Sequence, residues 1–178
     1  ENTLEQSYVL YKLAWVEYNL KNPISAVANL KKVINANNER LALKKEAVQD
    51  FALFSADLAP SDFNNEGGVE GIYNYLKKAT EEKSAQKAIS SMASVLEENG
   101  KRDVAIESLR YIIKESPNNP KNADRALNIV RWSQDLADKK ELNNRYHWLI
   151  TEFGPLSKWH KLQKNRPDVQ QLSSNAIE

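Results

Sequence analysis

The chain of 178 residues contains no cysteine. Disulfide staples and thiolate metal sites are therefore excluded, whatever compartment it occupies. Five glycines and six prolines leave little punctuation, and three of the glycines, Gly67, Gly68 and Gly71, fall close together. No apolar run approaches the roughly 18 residues that a spanning helix needs, so no membrane insertion is predicted. No basic-then-apolar leader opens the chain and there is no initiator Met. It starts at Glu1 among polar residues and ends among polar residues, which reads as a fragment or processed product of something longer. An excess of charge is missing too: 25 basic residues face 24 acidic ones, a net charge of +1, with no global attraction to nucleic acid or anionic lipid. Strand signals are also absent, since no window of four to eight residues alternates cleanly or collects β-branched side chains. What remains is 41% hydrophobic and 28% charged, ordinary for a globular protein and long enough for one domain with a sizeable core.

Between the breaks, apolar residues recur at three and four positions, the period of an amphipathic helix. The predicted helices pair. Residues 7–21 run to "KNP" and are followed by 24–36; residues 86–99 run to "NGKR" and are followed by 103–115. Gly100 suits a left-handed helix end, and Pro117 and Pro120 in "SPNNP" stop the second helix. The two pairs overlay without gaps at a displacement of 79 positions. Leu10 falls on Ile89, Leu13 on Met92, Ala14 on Ala93, Lys21 on Gly100, Ala26 on Ala105, Leu30 on Leu109 and Val33 on Ile112. Small falls on small and large on large, which marks an internal repeat. A weaker copy carries Ala126, Ile129, Val130, Leu142, Tyr146 and Leu149. The interval leaves room for one further pair, 43–58 and 69–82, joined by the longer "APSDFNNEGG". Ala14 and Ala26, like Ala93 and Ala105, are small where two helices of a hairpin would cross, which lets the backbones approach to the short end of the usual ~8–10 Å.

This spacing resembles the tetratricopeptide repeat, a helix-turn-helix unit of about 34 residues. Ile89, Met92, Ala93, Leu96, Gly100, Ala105, Leu109, Ile112 and Pro117 occupy the family's positions. The copy at 7–38 departs at Glu17, Lys21 and Asn38, and the pairs at 43–82 and 123–154 are divergent. The resemblance covers about residues 7–154. It implies an all-α fold: a right-handed superhelix of about four stacked antiparallel hairpins (7–38, 43–82, 86–117 and 123–153) in a single domain over 1–165. Residues 155–165 would form a C-terminal capping helix and 166–178 a polar tail, disordered or leading into a further domain. A narrower resemblance rests on "YKLAW" followed by "YNL", with "KKEAVQDFALFSADL" after it. It is to repeats in large cell-envelope and motility proteins of gliding and predatory Gram-negative bacteria, and it implies a periplasmic or envelope setting.

No catalytic constellation stands out, and no cofactor or metal is expected. His147 and His160 have no co-ligands spaced on one helical face. The glycines of "NNEGGVEG" follow no strand and precede no Lys-Ser/Thr, so they make no phosphate cradle. "EEKSAQK" reads as a solvated surface. The first helix is different, because it carries two apolar stripes where one suffices. Leu10, Leu13 and Ala14 take the core positions. Tyr8, Tyr11, Trp15 and Tyr18 fall where first helices face the concave groove, followed by Gln49 and Leu53, then Ser90 and Ser94, then Leu127 and Arg131. These ten residues are the candidate partner-binding set, suited to an extended or helical peptide. The alternative is that the aromatics are covered, by a preceding repeat or by neighbouring helices, with end-to-end self-association as one consequence. The carboxylate-clamping Lys/Asn/Arg set of some family members is not at the equivalent positions. In "PLSKWHKLQKN", Leu156, Trp159 and Leu162 lie on one side and Lys158, Lys161 and Lys164 on the other. Pro155 marks the helix start, and a cap is expected rather than a membrane-surface helix. The expected function is a non-catalytic scaffold that binds a protein or peptide through its concave face. The alternative is a structural segment whose faces contact its own neighbouring repeats.

Overall fold

The computed structural model describes residues 4–36, 41–58, 68–134, 136 and 138–175. The end of the first predicted hairpin, including Asn38, most of "APSDFNNEGG" and the last three residues lie outside the described residues. All regular structure among the described residues is helical, with no strand. The chain divides into two compact units, Glu1–Val95 and Leu96–Glu178.

The first unit contains α1 (Leu4–Asn19), α2 (Pro23–Asn35), α3 (Leu41–Ser55), α4 (Gly68–Ala79) and most of α5 (Glu82–Glu98). The "KNP" punctuation has a specific geometry. Lys21 takes a left-handed conformation at φ 63°. Its N–H bonds the Tyr18 carbonyl at 3.0 Å and the next N–H, of Asn22, reaches the Glu17 carbonyl at 2.9 Å. This is a Schellman end. The Asn22 side chain then accepts from the Ser25 N–H at 3.4 Å, and Pro23 sits at the first helical position, where its missing N–H costs nothing. Helix α1 packs along α2, and α2 along α3. Ala14 and Ala26 are fully buried, as a close crossing at small residues requires. The inward face of α2 is Ala26, Val27, Leu30, Val33 and Ile34. Helix α3 contributes Ala47, Val48, Phe51, Ala52 and Phe54, and α4 contributes Val69, Ile72, Tyr73 and Leu76. Two sequence expectations fail in this unit. Leu13 is 41% exposed and Leu10 is only half-buried, so Ala14 alone of that trio reaches the core. "EEKSAQK" is not wholly solvated: α5 begins within it, and Ala85 and Gln86 are buried.

The second unit contains the end of α5, then α6 (Arg102–Glu115), α7 (Asn122–Trp132), α8 (Lys139–Phe153), α9 (Lys158–Leu162) and α10 (Pro167–Asn175). Gly100 ends α5 at φ +79°, with its N–H on the Glu97 carbonyl and the Lys101 N–H on the Leu96 carbonyl, both at 2.8 Å. This is the Schellman end of Lys21 over again. The core gathers Ala123, Ala126, Val130, Leu149, Phe153, Trp159 and Val169, with Phe153 edge-on to Trp148 at 5.6 Å and to Trp159 at 5.4 Å. Tyr146, matched to a core position by the repeat pattern, is instead exposed.

The C-terminal segment corrects three further expectations. The helix does not start at Pro155. Ser157 caps a five-residue α9, its hydroxyl accepting the His160 N–H at 3.0 Å. Leu156 is 89% exposed and Leu162 is exposed as well, so Trp159 is the one apolar anchor. Its indole N–H donates to the Asn119 carbonyl at 3.0 Å, and the Gln163 amide donates to the Asn118 carbonyl at 3.2 Å. The "SPNNP" turn is therefore a docking point as well as a stop. Asn122 braces it from inside, donating to the carbonyls of Ser116 and Pro117. Residues beyond 166 are not all a disordered tail. Helix α10 forms there because Pro167 starts it and Val169 drops into the same core.

Candidate functional site

Helix α1 turns three different faces outward from its axis, because its apolar residues occupy more than one 3.6-residue stripe. Ser7 and Ala14 point inward and are buried. A second face carries Tyr11, Trp15 and Tyr18, and all three are engaged by α3. The Tyr11 hydroxyl donates to Asp50 Oδ2 at 2.7 Å, and the Trp15 indole N–H donates to the same oxygen at 3.0 Å. The Tyr18 hydroxyl donates to Asp57 Oδ2 at 2.9 Å. Between the two carboxylates lies Phe54, stacked on Tyr18 at 3.8 Å and met edge-on by Trp15 at 5.0 Å. Tyr8 alone of the four aromatics stays largely open, with the Lys12 ammonium 5.2 Å from its ring centre.

Burial sets the electrostatics of this cluster. Removal from water, reinforced by the Asp50 carboxylate, pushes the Tyr11 hydroxyl up to about 12. Burial with Asp57 does the same for Tyr18, also to about 12. Asp50 itself is raised, because burial of its charge outweighs the two hydrogen bonds that favour ionisation. The arrangement holds α1 to α3 and the turn that follows it through phenols, an indole and two carboxylates. It offers no nucleophile paired with a base.

The third face is Val9, Leu13 and Val16 of α1, continued by Leu20 just past its end, spaced four, three and four. All four are exposed, Val9 to 62%, Val16 to 52% and Leu20 to 71%. Ile24 at the start of α2 is exposed beside them in sequence. Sequence reasoning missed this face because it assigned Leu13 to the core.

The remaining candidates are scattered in character. Gln49 and Leu53 are half-buried on α3. Ser90 and Ser94 spend their hydroxyls on their own helix, donating to the carbonyls of Gln86 at 2.9 Å and Ser90 at 3.3 Å. Leu127 packs against the C-terminal core, and Arg131 is exposed. Missed altogether were Asp50, Phe54 and Asp57. A signal for them existed: they repeat the spacing of Tyr11, Trp15 and Tyr18 at a displacement of 39, the separation of both tyrosine–aspartate bonds. The described residues contain no group of three or more side chains able to hold a metal ion, and no described helix is long and apolar enough to cross a membrane. Compared with models of protein families, with curated protein sequences and with solved structures, the chain matches none.

Proposed function

We propose that the chain is a non-catalytic segment of a tetratricopeptide-type helical repeat that works by contact with neighbouring helical hairpins. The observation that carries this reading is the outward stripe of α1. Four aliphatic side chains in helical register face water, an arrangement whose burial against another helix releases about 25 cal/mol per Å2 of apolar surface. The aromatic face, by contrast, is already engaged by α3. The stacked-hairpin superhelix belongs to the same proposal, supported by the matched spacing of the two sequence copies and by their matching Schellman ends. A place in the cell envelope rests on the narrower resemblance alone, and fractionation of cells producing the protein tests it.

Sedimentation velocity of the wild type and of a Leu13→Glu/Val16→Glu variant tests the contact. The wild type is expected to self-associate as its concentration rises, and the variant to remain monomeric with an unchanged melting temperature. A variant that melts much lower would mean the stripe is covered within the fold. Association that survives the charges would place the contact elsewhere.

A second reading keeps the concave-face scaffold for a peptide. The openness of Tyr8 beside Lys12 favours it. On that reading Tyr8→Ala costs partner affinity on the hot-spot scale of about 2 kcal/mol and no stability.

A further inference from the structure

Helices α6 and α8 of the second unit flank a pocket of about 470 Å3. Ile113 and Trp148 give it an apolar wall, and Asn144 adds an amide. Its charged lining is unbalanced: Arg110, Lys114 and Arg145 face a single carboxylate, Glu141. In a chain whose net charge is only +1, that is a local excess of cations.

The four groups are not equally committed. Arg145 is fixed in place, one terminal nitrogen donating to the Ser133 hydroxyl and the other to Glu141 one turn away. Among the described residues, Arg110 and Lys114 have no hydrogen-bonding or ion-pair partner. Partial desolvation at the pocket wall and the positive charge of Arg145, in that order, pull the Arg110 guanidinium below its ordinary value, with Glu141 opposing them, so the two guanidiniums repel across the pocket. Like charges held together around an open volume are relieved by an anion seated between them. A guanidinium fork matches the two oxygens of a carboxylate or phosphate. The volume falls in the range of small-molecule sites, about 300–1,000 Å3, too large for a bare oxyanion alone.

We propose that this pocket binds an oxyanion, phosphate or carboxylate, attached to a flat apolar group. Arg110 and Arg145 grip the anion, Lys114 adds charge, and Trp148 with Ile113 holds the apolar part. Glu141 positions Arg145.

The test titrates the whole chain with phenyl phosphate, benzoate and inorganic phosphate, following the Trp148 indole N–H and the arginine Nε–H signals by NMR. Saturable shifts confined to Trp148, Arg110 and Arg145 are expected, with phenyl phosphate or benzoate binding at least several-fold tighter than inorganic phosphate. Whichever aryl compound binds tighter identifies the oxyanion. Arg110→Gln should weaken binding about tenfold or more and Lys114→Gln by less. Lys78→Gln, an exposed lysine of the first unit, should change nothing. Arg110 and Lys114 are both exposed, so neither variant threatens folding. The proposal is overturned by shifts that do not saturate, by binding that survives Arg110→Gln, or by inorganic phosphate binding as tightly as phenyl phosphate.

Discussion

Val9 and Leu13 of α1 stand in solvent at 62% and 41% exposure, while Ala88 and Met92, their counterparts in α5, are buried at 0% and 1%. The inward alanines of the same helices do not differ: Ala14 and Ala93 are both at 0%. Matching sequence positions therefore agree in burial at the alanines but not at the apolar positions beside them. The difference teaches that an apolar position repeated in sequence is buried only where its own surroundings supply a cover. The aromatic positions diverge in the opposite sense. Trp15 is tied to Asp50 and Phe54, whereas Ser94 in its place is exposed and bonds its own backbone.

The largest effect that could break this comparison lies at Met92. Met92→Ala should cost about 2–5 kcal/mol, as expected of a fully buried thioether side chain. Leu13→Ala at the matched position should cost less than about 1 kcal/mol. Urea melts of the two variants decide it. Equal losses would mean that α1 is covered as α5 is. Next in size comes the aromatic pair. Trp15 is half-buried, donates one hydrogen bond and meets one ring edge-on, so Trp15→Ala should cost about 2–3 kcal/mol, below the ~3–5 of a fully buried aromatic. Ser94→Ala should stay within about 0.5 kcal/mol. A Trp15→Ala protein that melts like wild type would return the aromatic face to the peptide-binding reading.

The helices were legible because 3.6-residue periodicity survives even in the divergent copies, and the paired alanines marked the faces that would be buried. The departure at Lys21, where the repeat pattern prefers glycine, was legible as well, and the structure gives it a physical form in the positive φ. Which of the two stripes on α1 would be covered was not legible. Periodicity reports that a face is apolar, not whether a neighbour exists to bury it, and Leu13 followed the register of Met92 without its surroundings. Helix α10 escaped because Val169, the buried apolar side chain among its described ones, is too little to register as a stripe. Arg110 and Arg145 were invisible as a pair because they sit on separate helices, and only packing brings both to one pocket.

The two turns offer a smaller and sharper contrast. Lys21 and Gly100 hold the same left-handed conformation, at φ 63° and +79°. A side chain there costs about 1–2 kcal/mol, offset in part by the lower chain entropy of a non-glycine residue in the unfolded state. Lys21→Gly should therefore stabilise by about 0.5–1 kcal/mol. Gly100→Ala should destabilise by about 1 kcal/mol. A Cβ at Gly100 meets nothing within 4 Å, so that loss is conformational and not steric. Thermal melts moving in opposite directions are the expected result. Two shifts of the same sign would show that the turns are not equivalent.

The smallest effect concerns protons, and it too separates α1 from α5. The α5 residues matched to Tyr11 and Tyr18 are Ser90 and Glu97, so the half-buried phenols belong to the α1 copy alone. Both hydroxyls are raised from their ordinary value near 10 to about 12, which means that the folded protein holds their protons more tightly than the unfolded chain does. By linkage, the stability they contribute is fully present below about pH 10. It is lost as pH rises through about 12. Both groups are partly exposed, so solvent screening keeps the effect modest. Ultraviolet absorbance near 295 nm should show a late-titrating fraction in the wild type, and in Tyr11→Phe/Tyr18→Phe that fraction should shrink. The double variant should also show a flatter decline of melting temperature between about pH 10 and 12. If it declines as steeply as wild type, the phenol–carboxylate bonds between α1 and α3 are not what alkaline conditions break.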